Sequence, residues 1–345
     1  MMQAAYLTGH GGNEVVQVGP RPRPVRQAGD VLVRLRAATV NRVDLYMRDS
    51  GAGITHQLPQ ILGLDGAGIV EEVGPETPWQ VGQPVVLHPG IGCGRCEFCV
   101  RGEQVLCVRM QLLGEHRDGT FAQWVSVPAA NVFPMPPGLD FAEAAALGVN
   151  HLTAWRMVHT KGRLQPWETV LIFGIGGGVS LAALQLARQL GARVLATSRA
   201  PDKLQRAVAL GADHAIDSTR QDVVKEVMAI TGGRGVDLVI ENVGAAVWSQ
   251  AMRSLVRGGR LVTCGATTGD QPPADLRRIF IRQLQILGST LGNLHEFHDL
   301  LTSVARHGLR PVIDRSYPLA QVHAALDRLE SGQQFGKVVL EIDGP

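Results

Sequence analysis

Apolar and polar positions along the chain follow two rhythms, and the change falls near residue 168. Residues 1 to about 125 carry short β-type runs, among them "VLVRLRAATV" (31–40) and "GAGIVEEVG" (66–74), cut at close intervals by glycine and proline. Short runs bounded by turn residues predict a mostly β region with loops. From about 168 to 290 strands and helices alternate. "TVLIFG" reads as a buried strand, and Val179 to Leu190 as a helix with apolar positions at 179, 181, 184, 186 and 190, stopped by Gly191. "ARVLAT" and "PDKLQRAVAL" repeat the unit, and "GVDLVIENVG", "GRLVTCG" and "LQILGST" supply later strands. Such alternation predicts a parallel sheet flanked by helices. The tail holds a helical "LAQVHAALDRLES" and a β-type "GKVVLEI" that returns to the first region. The expected division is 1–150, 151–291 and 292–345.

Composition narrows the class. The chain of 345 residues is 45% hydrophobic and 19% charged, with a net charge of +2, so it has no field to draw nucleic acid or an anionic membrane. The N-terminal "MMQAAYLTGHGGNEVVQV" lacks a basic segment followed by an apolar run, and no stretch of 18 uncharged apolar residues occurs. The expectation is a cytoplasmic protein with no membrane or nucleic-acid partner. Four of the five cysteines fall within 15 residues, which points to a metal in a reducing compartment rather than to disulfides.

Two motifs carry chemistry. In "VLIFGIGGGVSLAALQLA", Gly174, Gly176, Gly177 and Gly178 lie between a strand and a helix that begins near Val179. Glycines permit the tight turn and the close approach of backbone to a pyrophosphate, and the helix N-terminus supplies free N–H groups. The spacing departs from G-x-G-x-x-G, so the strand–helix context carries the assignment. After the second strand comes "ATSRAPDK", with Ser198 and Arg199 and no acid before Asp202. An acid there would bond the ribose hydroxyl of NAD, whereas a guanidinium suits a 2′-phosphate. NADP(H) is therefore expected over NAD(H), unless Arg199 is a solvated surface residue. Cys93, Cys96, Cys99 and Cys107, spaced C-x2-C-x2-C-x7-C, can close a tetrahedral Zn²⁺ site with no position left for substrate. One structural zinc per chain is expected. Cys264 reads as a small buried strand residue.

These features in this order resemble the medium-chain dehydrogenase/reductase superfamily, the zinc alcohol dehydrogenases and their quinone reductase relatives. "GLDGAGIVEEVG" (63–74), "DGTFAQWVSVP" (118–128) and "FGKVVLEI" (335–342) match its pattern. The resemblance implies an α/β protein with a GroES-like, mostly β catalytic domain. A Rossmann domain with a doubly wound parallel sheet is inserted in it, and a cleft lies between them. It also places Asn242 of "ENVG", Gly265 and Lys203 near the cofactor, though a surface lysine at a helix start is the commoner case. It makes "LQILGST" an edge strand for a homodimer or homotetramer.

The family's alcohol dehydrogenases hold a second, catalytic zinc. At the three matching positions this chain has Asn41, Leu64 and Val149. A site rearranged from Asp44, Asp65, His88 and His151 is the alternative. The segment "VNRVDLYMR" instead resembles the zinc-free quinone reductase pattern N-x-x-D-x-Y-x-R, matched by Asn41, Asp44, Tyr46 and Arg48. The expectation is a reductase of a quinone, an enone or a related carbonyl. Tyr46 and the Asn41 amide would stabilise negative charge on the substrate oxygen, with Tyr46 or water supplying a proton. Asp44 would fix the loop or Arg48. A zinc alcohol dehydrogenase with an atypical site, and an NADPH-binding protein with little catalysis, remain as competing readings.

Overall fold

The structure is a computed structural model that describes residues 1–342 except residue 76. The chain forms two compact units, one built from residues 1–152 with 291 onward, the other from 153–290. Among the described residues no helix is long and apolar enough to cross a membrane.

In the first unit the strand Asp30–Val40 is the centre of a seven-stranded sheet. It pairs antiparallel with Asp65–Glu72, with Trp124–Pro128 and with Lys337–Glu341. The tail strand thus returns to the first region. Val31, Val33 and Leu35 alternate inward and meet Val70, Val85, Leu87, Val338 and Leu340 in one core. Register is fixed by these buried faces, because a slip of one residue would turn every apolar side chain outward. It sets Thr39 opposite Asp65 and Val338 opposite Val40. Asp65, Lys337 and the residues after Val40 are thereby gathered at one end of the central strand.

The tail also contains two elements not foreseen in the sequence. Leu294–His307 is a helix, and Ile313–Pro318 is a strand parallel to Lys337–Glu341. The helix buries Phe297, Leu300, Leu301 and Val304 on one face, and Glu296 in its first turn bonds back to the Asn293 N–H.

The second unit is a six-stranded parallel sheet. Its order is His214–Asp217, Arg193–Ser198, Thr169–Ile172, Val236–Glu241, Leu255–Thr263, Gln285–Gly288. The first of these, "HAID", is too short and too polar to stand out as a strand. The helix Gly178–Leu190 crosses between Thr169–Ile172 and Arg193–Ser198. Gln285–Gly288 lies at the sheet edge, as the resemblance implied. Cys264 falls one residue beyond its strand, and burial raises its thiol to about 12.

Candidate active site and metal centre

The strand Asp30–Val40 runs into Asn41, which precedes the helix Arg42–Ser50. The Asn41 N–H donates to Asp44 Oδ2 at 2.7 Å, and the Gly63 N–H donates to Asp44 Oδ1 at 3.1 Å. Asp44 therefore ties the helix start to the segment ahead of Asp65. It does not touch Arg48, whose guanidinium bonds Asn13, Asp49 and Glu330 instead. Burial raises the Asp44 carboxyl to about 7, with the two N–H donors opposing that rise.

The Asn41 side chain is fully engaged. Its Nδ2 donates to Thr39 O at 3.1 Å and to Asp65 Oδ1 at 3.2 Å. Its Oδ1 accepts from Lys337 Nζ at 2.7 Å. Thr39 Oγ1 also donates to Asp65 Oδ1, at 2.6 Å, and Lys337 Nζ lies 3.8 Å from Asp65 Oδ2. Asn41, Asp65 and Lys337 are all buried. Burial pushes the Asp65 carboxyl up, and the Lys337 ammonium partly offsets the rise; burial lowers Lys337. In this arrangement the Asn41 amide offers no unspent proton to a ligand, which corrects the expectation of a free donor there. Tyr46 lies on the same helix and is 40% exposed.

Lys337 is the site residue that the sequence reading passed over. Its signal was a lone lysine opening an otherwise apolar strand, "GKVVLEI". Buried lysines are rare unless paired.

Leu64, at the second metal position, is buried. His88 is engaged at both ring nitrogens, Nε2 donating to Gly292 O at 2.9 Å and Nδ1 accepting from the Gly90 N–H at 3.1 Å. Burial lowers it to about 4, so it is neutral. The His151 Nδ1 bonds Ala146 O at 3.2 Å. Among the described residues one group of three or more His, Cys, Asp or Glu side chains converges as a metal would require, and it is the cysteine quartet.

The four cysteine sulfurs lie within 4.8 Å of one another. A tetrahedral zinc with Zn–S bonds of about 2.3 Å sets its sulfurs about 3.8 Å apart, so the quartet fits. Gly94 (φ 73°) and Gly102 (φ 80°) provide the left-handed turns that wrap the lobe. The N–H groups of Cys93 and Arg109 point to Cys107 Sγ, and those of Arg95 and Cys96 lower the Cys93 thiol. Such donors stabilise the thiolates a zinc needs. The lobe is anchored to the tail through Asn293. The Val105 N–H donates to Asn293 Oδ1 at 3.0 Å, and Asn293 Nδ2 donates to Glu103 at 3.1 Å.

In the second unit Gly174 (φ 65°) and Gly176 (φ 115°) require glycine. Gly177 precedes the helix, and no acid sits in the first turn that contains Gly178 and Val179, so the positive dipole end is unneutralised. A Cβ on Gly176 would come within 2.7 Å of Lys203 Cδ, so Lys203 lies against the loop. Asn242 Nδ2 donates to Ser180 Oγ at 3.0 Å, and a Cβ on Gly265 would press on Asn242 O at 2.9 Å. Lys203, Asn242 and Gly265 therefore gather around the glycine loop, an arrangement that suits a pyrophosphate. Ser198 is buried, with Oγ bonded to the Ala200 N–H at 3.1 Å, so it shapes the turn. Arg199 is exposed and makes no hydrogen bond or ion pair to the described residues. Glu241 was not foreseen. Its buried carboxylate accepts from the Val243 and Gly244 N–H groups and from Thr263 Oγ1, which fixes the turn that presents Asn242.

Residues 27–137 match the family model for the alcohol dehydrogenase GroES-like domain, and residues 178–306 match the zinc-binding dehydrogenase model. An alcohol dehydrogenase of Geobacillus stearothermophilus is 31% identical, covering 95% of this chain and 96% of its own. An NAD-dependent alcohol dehydrogenase of Sulfurisphaera tokodaii is 32% identical over 93% and 94%. A crystal structure of an NAD-dependent alcohol dehydrogenase is 42% identical, with a TM-score of 0.96, and covers 99% of this chain and all of its own.

Proposed function

This chain belongs to the zinc-type alcohol dehydrogenase family of the medium-chain dehydrogenases/reductases, and within that family we propose that it reduces quinones or α,β-unsaturated carbonyls with NADPH and without a catalytic zinc. That it is an NAD(P)-dependent oxidoreductase with a GroES-like and a Rossmann part follows from the family. The finer reading rests on one observation above others. At the positions where the family's alcohol dehydrogenases ligate a catalytic metal, this chain has Asn41, Leu64 and Val149, and Asn41 Oδ1 is already bonded to the Lys337 ammonium. A divalent cation at Asn41 would sit beside a buried positive charge, which like-charge repulsion opposes. Val149 and Leu64 add no ligand.

Without a Lewis acid, alcohol oxidation lacks its usual means of removing the hydroxyl proton. Enones and quinones need none, because conjugation already makes them electrophilic. A nicotinamide cofactor held at the glycine loop would supply a hydride to the conjugated system, leaving negative charge on the carbonyl oxygen. The Tyr46 hydroxyl stabilises that oxygen as a donor, and Tyr46 or water returns the proton that completes the reduction. Asn41 acts as a positioning residue that holds Asp65 and Lys337 in place, and Asp44 holds the helix start that carries Tyr46. The cysteine quartet holds the structural zinc and takes no part in the chemistry.

NADP(H) is the proposed cofactor. Arg199 stands where an acid would select NAD, and its guanidinium has no partner among the described residues. A homodimer or homotetramer formed through the Gln285–Gly288 edge, in a reducing cytoplasm that keeps the cysteines from forming disulfides, completes the proposal. The test is a panel of quinones, enones and simple alcohols assayed with both cofactors. Oxidation of NADPH by quinones or enones supports the reading, with Tyr46→Phe lowering kcat by roughly tenfold to a hundredfold. Turnover confined to alcohols would overturn it. Tight NADPH binding without turnover by any member would leave a cofactor-binding protein instead.

A further inference from the structure

The second unit has a polar pocket at the end of its sheet opposite the glycine loop. Thr169–Ile172, Val236–Glu241 and Gln285–Gly288 run parallel, and the pocket is formed where they begin. Its volume is about 190 Å³, and its lining includes Arg163, Arg234, Arg257, Arg260, Glu168 and Asp237. The glycine loop follows Ile172, at the other end of the same strands. Ligands of open α/β sheets bind at that carboxyl end, so the pocket lies outside the cofactor site.

Charge within the pocket does not balance. Arg234 is paired with Asp237 at 2.6 Å, and Arg260 with Glu168 at 2.6 Å. Those pairs consume both acids. Arg163 bonds the neutral Gln285 side chain at 3.3 Å, and Arg257 bonds the Ile281 carbonyl at 3.2 Å. Neither has an ion pair among the described residues, and each guanidinium keeps donors to spare. Four guanidiniums against two carboxylates leave a formal charge of +2 around a space of a size to admit an oxyanion with several waters. Gly258 (φ 74°) has open space where a side chain would stand, so that part of the wall is bare backbone.

We propose that this pocket is an anion site that binds a dianionic tetrahedral oxyanion, a phosphate group carried either free or as a monoester. A phosphate offers two charges to match the excess, and its oxygens accept paired N–H donors from guanidinium forks. Arg163 and Arg257 are the recognising residues. Arg234 and Arg260, held by Asp237 and Glu168, fix the wall.

Calorimetric titration of the full chain with inorganic phosphate tests this, with chloride as the monovalent control. Saturable binding of phosphate but not chloride is expected. The Arg163→Gln and Arg257→Gln variants should each weaken it by roughly tenfold or more, as loss of a charge-assisted contact does. Both side chains are exposed, so the variants should fold, which circular dichroism checks. Binding must survive in Arg199→Ala, which separates this pocket from the cofactor loop. A phosphate monoester such as glycerol phosphate is the second arm. Tighter binding of the ester points to a phosphorylated metabolite, and equal or weaker binding points to free phosphate; either supports the site. If the variants fail to fold, a saturable phosphate-dependent rise in the melting temperature of the unaltered chain, absent in Arg199→Ala, would overturn the proposal. So would the lack of saturable binding, or binding unchanged in both glutamine variants.

Discussion

Lys337→Met removes one charge from the buried cluster and leaves the rest in place. Lys337 is 3% exposed and Asp65 is fully buried. The variant strips Asp65 of the Lys337 ammonium at 3.8 Å and Asn41 Oδ1 of its 2.7 Å donor. At an effective dielectric of about 20, two charges at this separation attract by about 4 kcal/mol. Breaking buried pairs by removing one partner costs about 3–5 kcal/mol, since the surviving charge stays desolvated. Asp65 Oδ2 already lacks a hydrogen bond, so nothing nearby replaces the ammonium. A loss of about 3–5 kcal/mol at neutral pH is expected in urea unfolding.

The pH dependence gives an independent check. Burial already raises the folded pKa of Asp65, and losing Lys337 raises it further. A carboxyl with a raised folded pKa binds its proton more tightly in the folded than in the unfolded chain. Folding of the variant therefore gains stability as pH falls toward the ordinary carboxylate range. The deficit should shrink as pH falls, and adding Asp65→Asn should recover part of it. A deficit under about 1 kcal/mol, or one that neither pH nor the second substitution changes, would refute the reasoning.

Further outcomes follow from other sites. Arg199→Ala should lower the preference for NADPH over NADH by roughly tenfold to a hundredfold in kcat/KM ratios, and an unchanged preference would remove the cofactor argument. Cys99→Ser should lose zinc and lower the melting temperature by at least about 5 °C, read by elemental analysis and calorimetry. Gly244 (φ 97°) would bring a Cβ within 2.6 Å of Gly269 O, so Gly244→Ala should cost about 2–4 kcal/mol in chemical denaturation. Asp44, raised to about 7 in the fold, holds a proton that the unfolded chain has lost. Its contribution is full below about pH 4 and disappears as pH rises through about 7. Asp44→Asn should flatten that part of the stability profile, and an unchanged slope would contradict it.

Much of the fold was legible because local chemistry dictated it. Glycine after Leu190 and the apolar spacing of 179–190 define a helix wherever they occur, and alternating units of that kind build a parallel sheet. The cysteine spacing is legible for the same reason, since all four ligands come from one short segment. The engagement of Asn41 was not legible. Its partners Lys337 and Asp65 are 296 and 24 residues away, and only the strand register brings them together. A motif match identifies Asn41 as a polar residue in a particular place, but not which of its protons are already used. The helix Leu294–His307 escaped because its three histidines and three charged residues obscure the stripe of Phe297, Leu300, Leu301 and Val304.

If hydride transfer in this protein needs no catalytic metal, the structural zinc alone suffices for full activity. Zinc per chain, measured by elemental analysis on a sample assayed in parallel for NADPH-dependent enone reduction, tests it most directly. One zinc per chain, held by Cys93, Cys96, Cys99 and Cys107, is expected in fully active protein. Two zincs per chain, with turnover lost when the second is chelated while fold and NADPH binding persist, would contradict it.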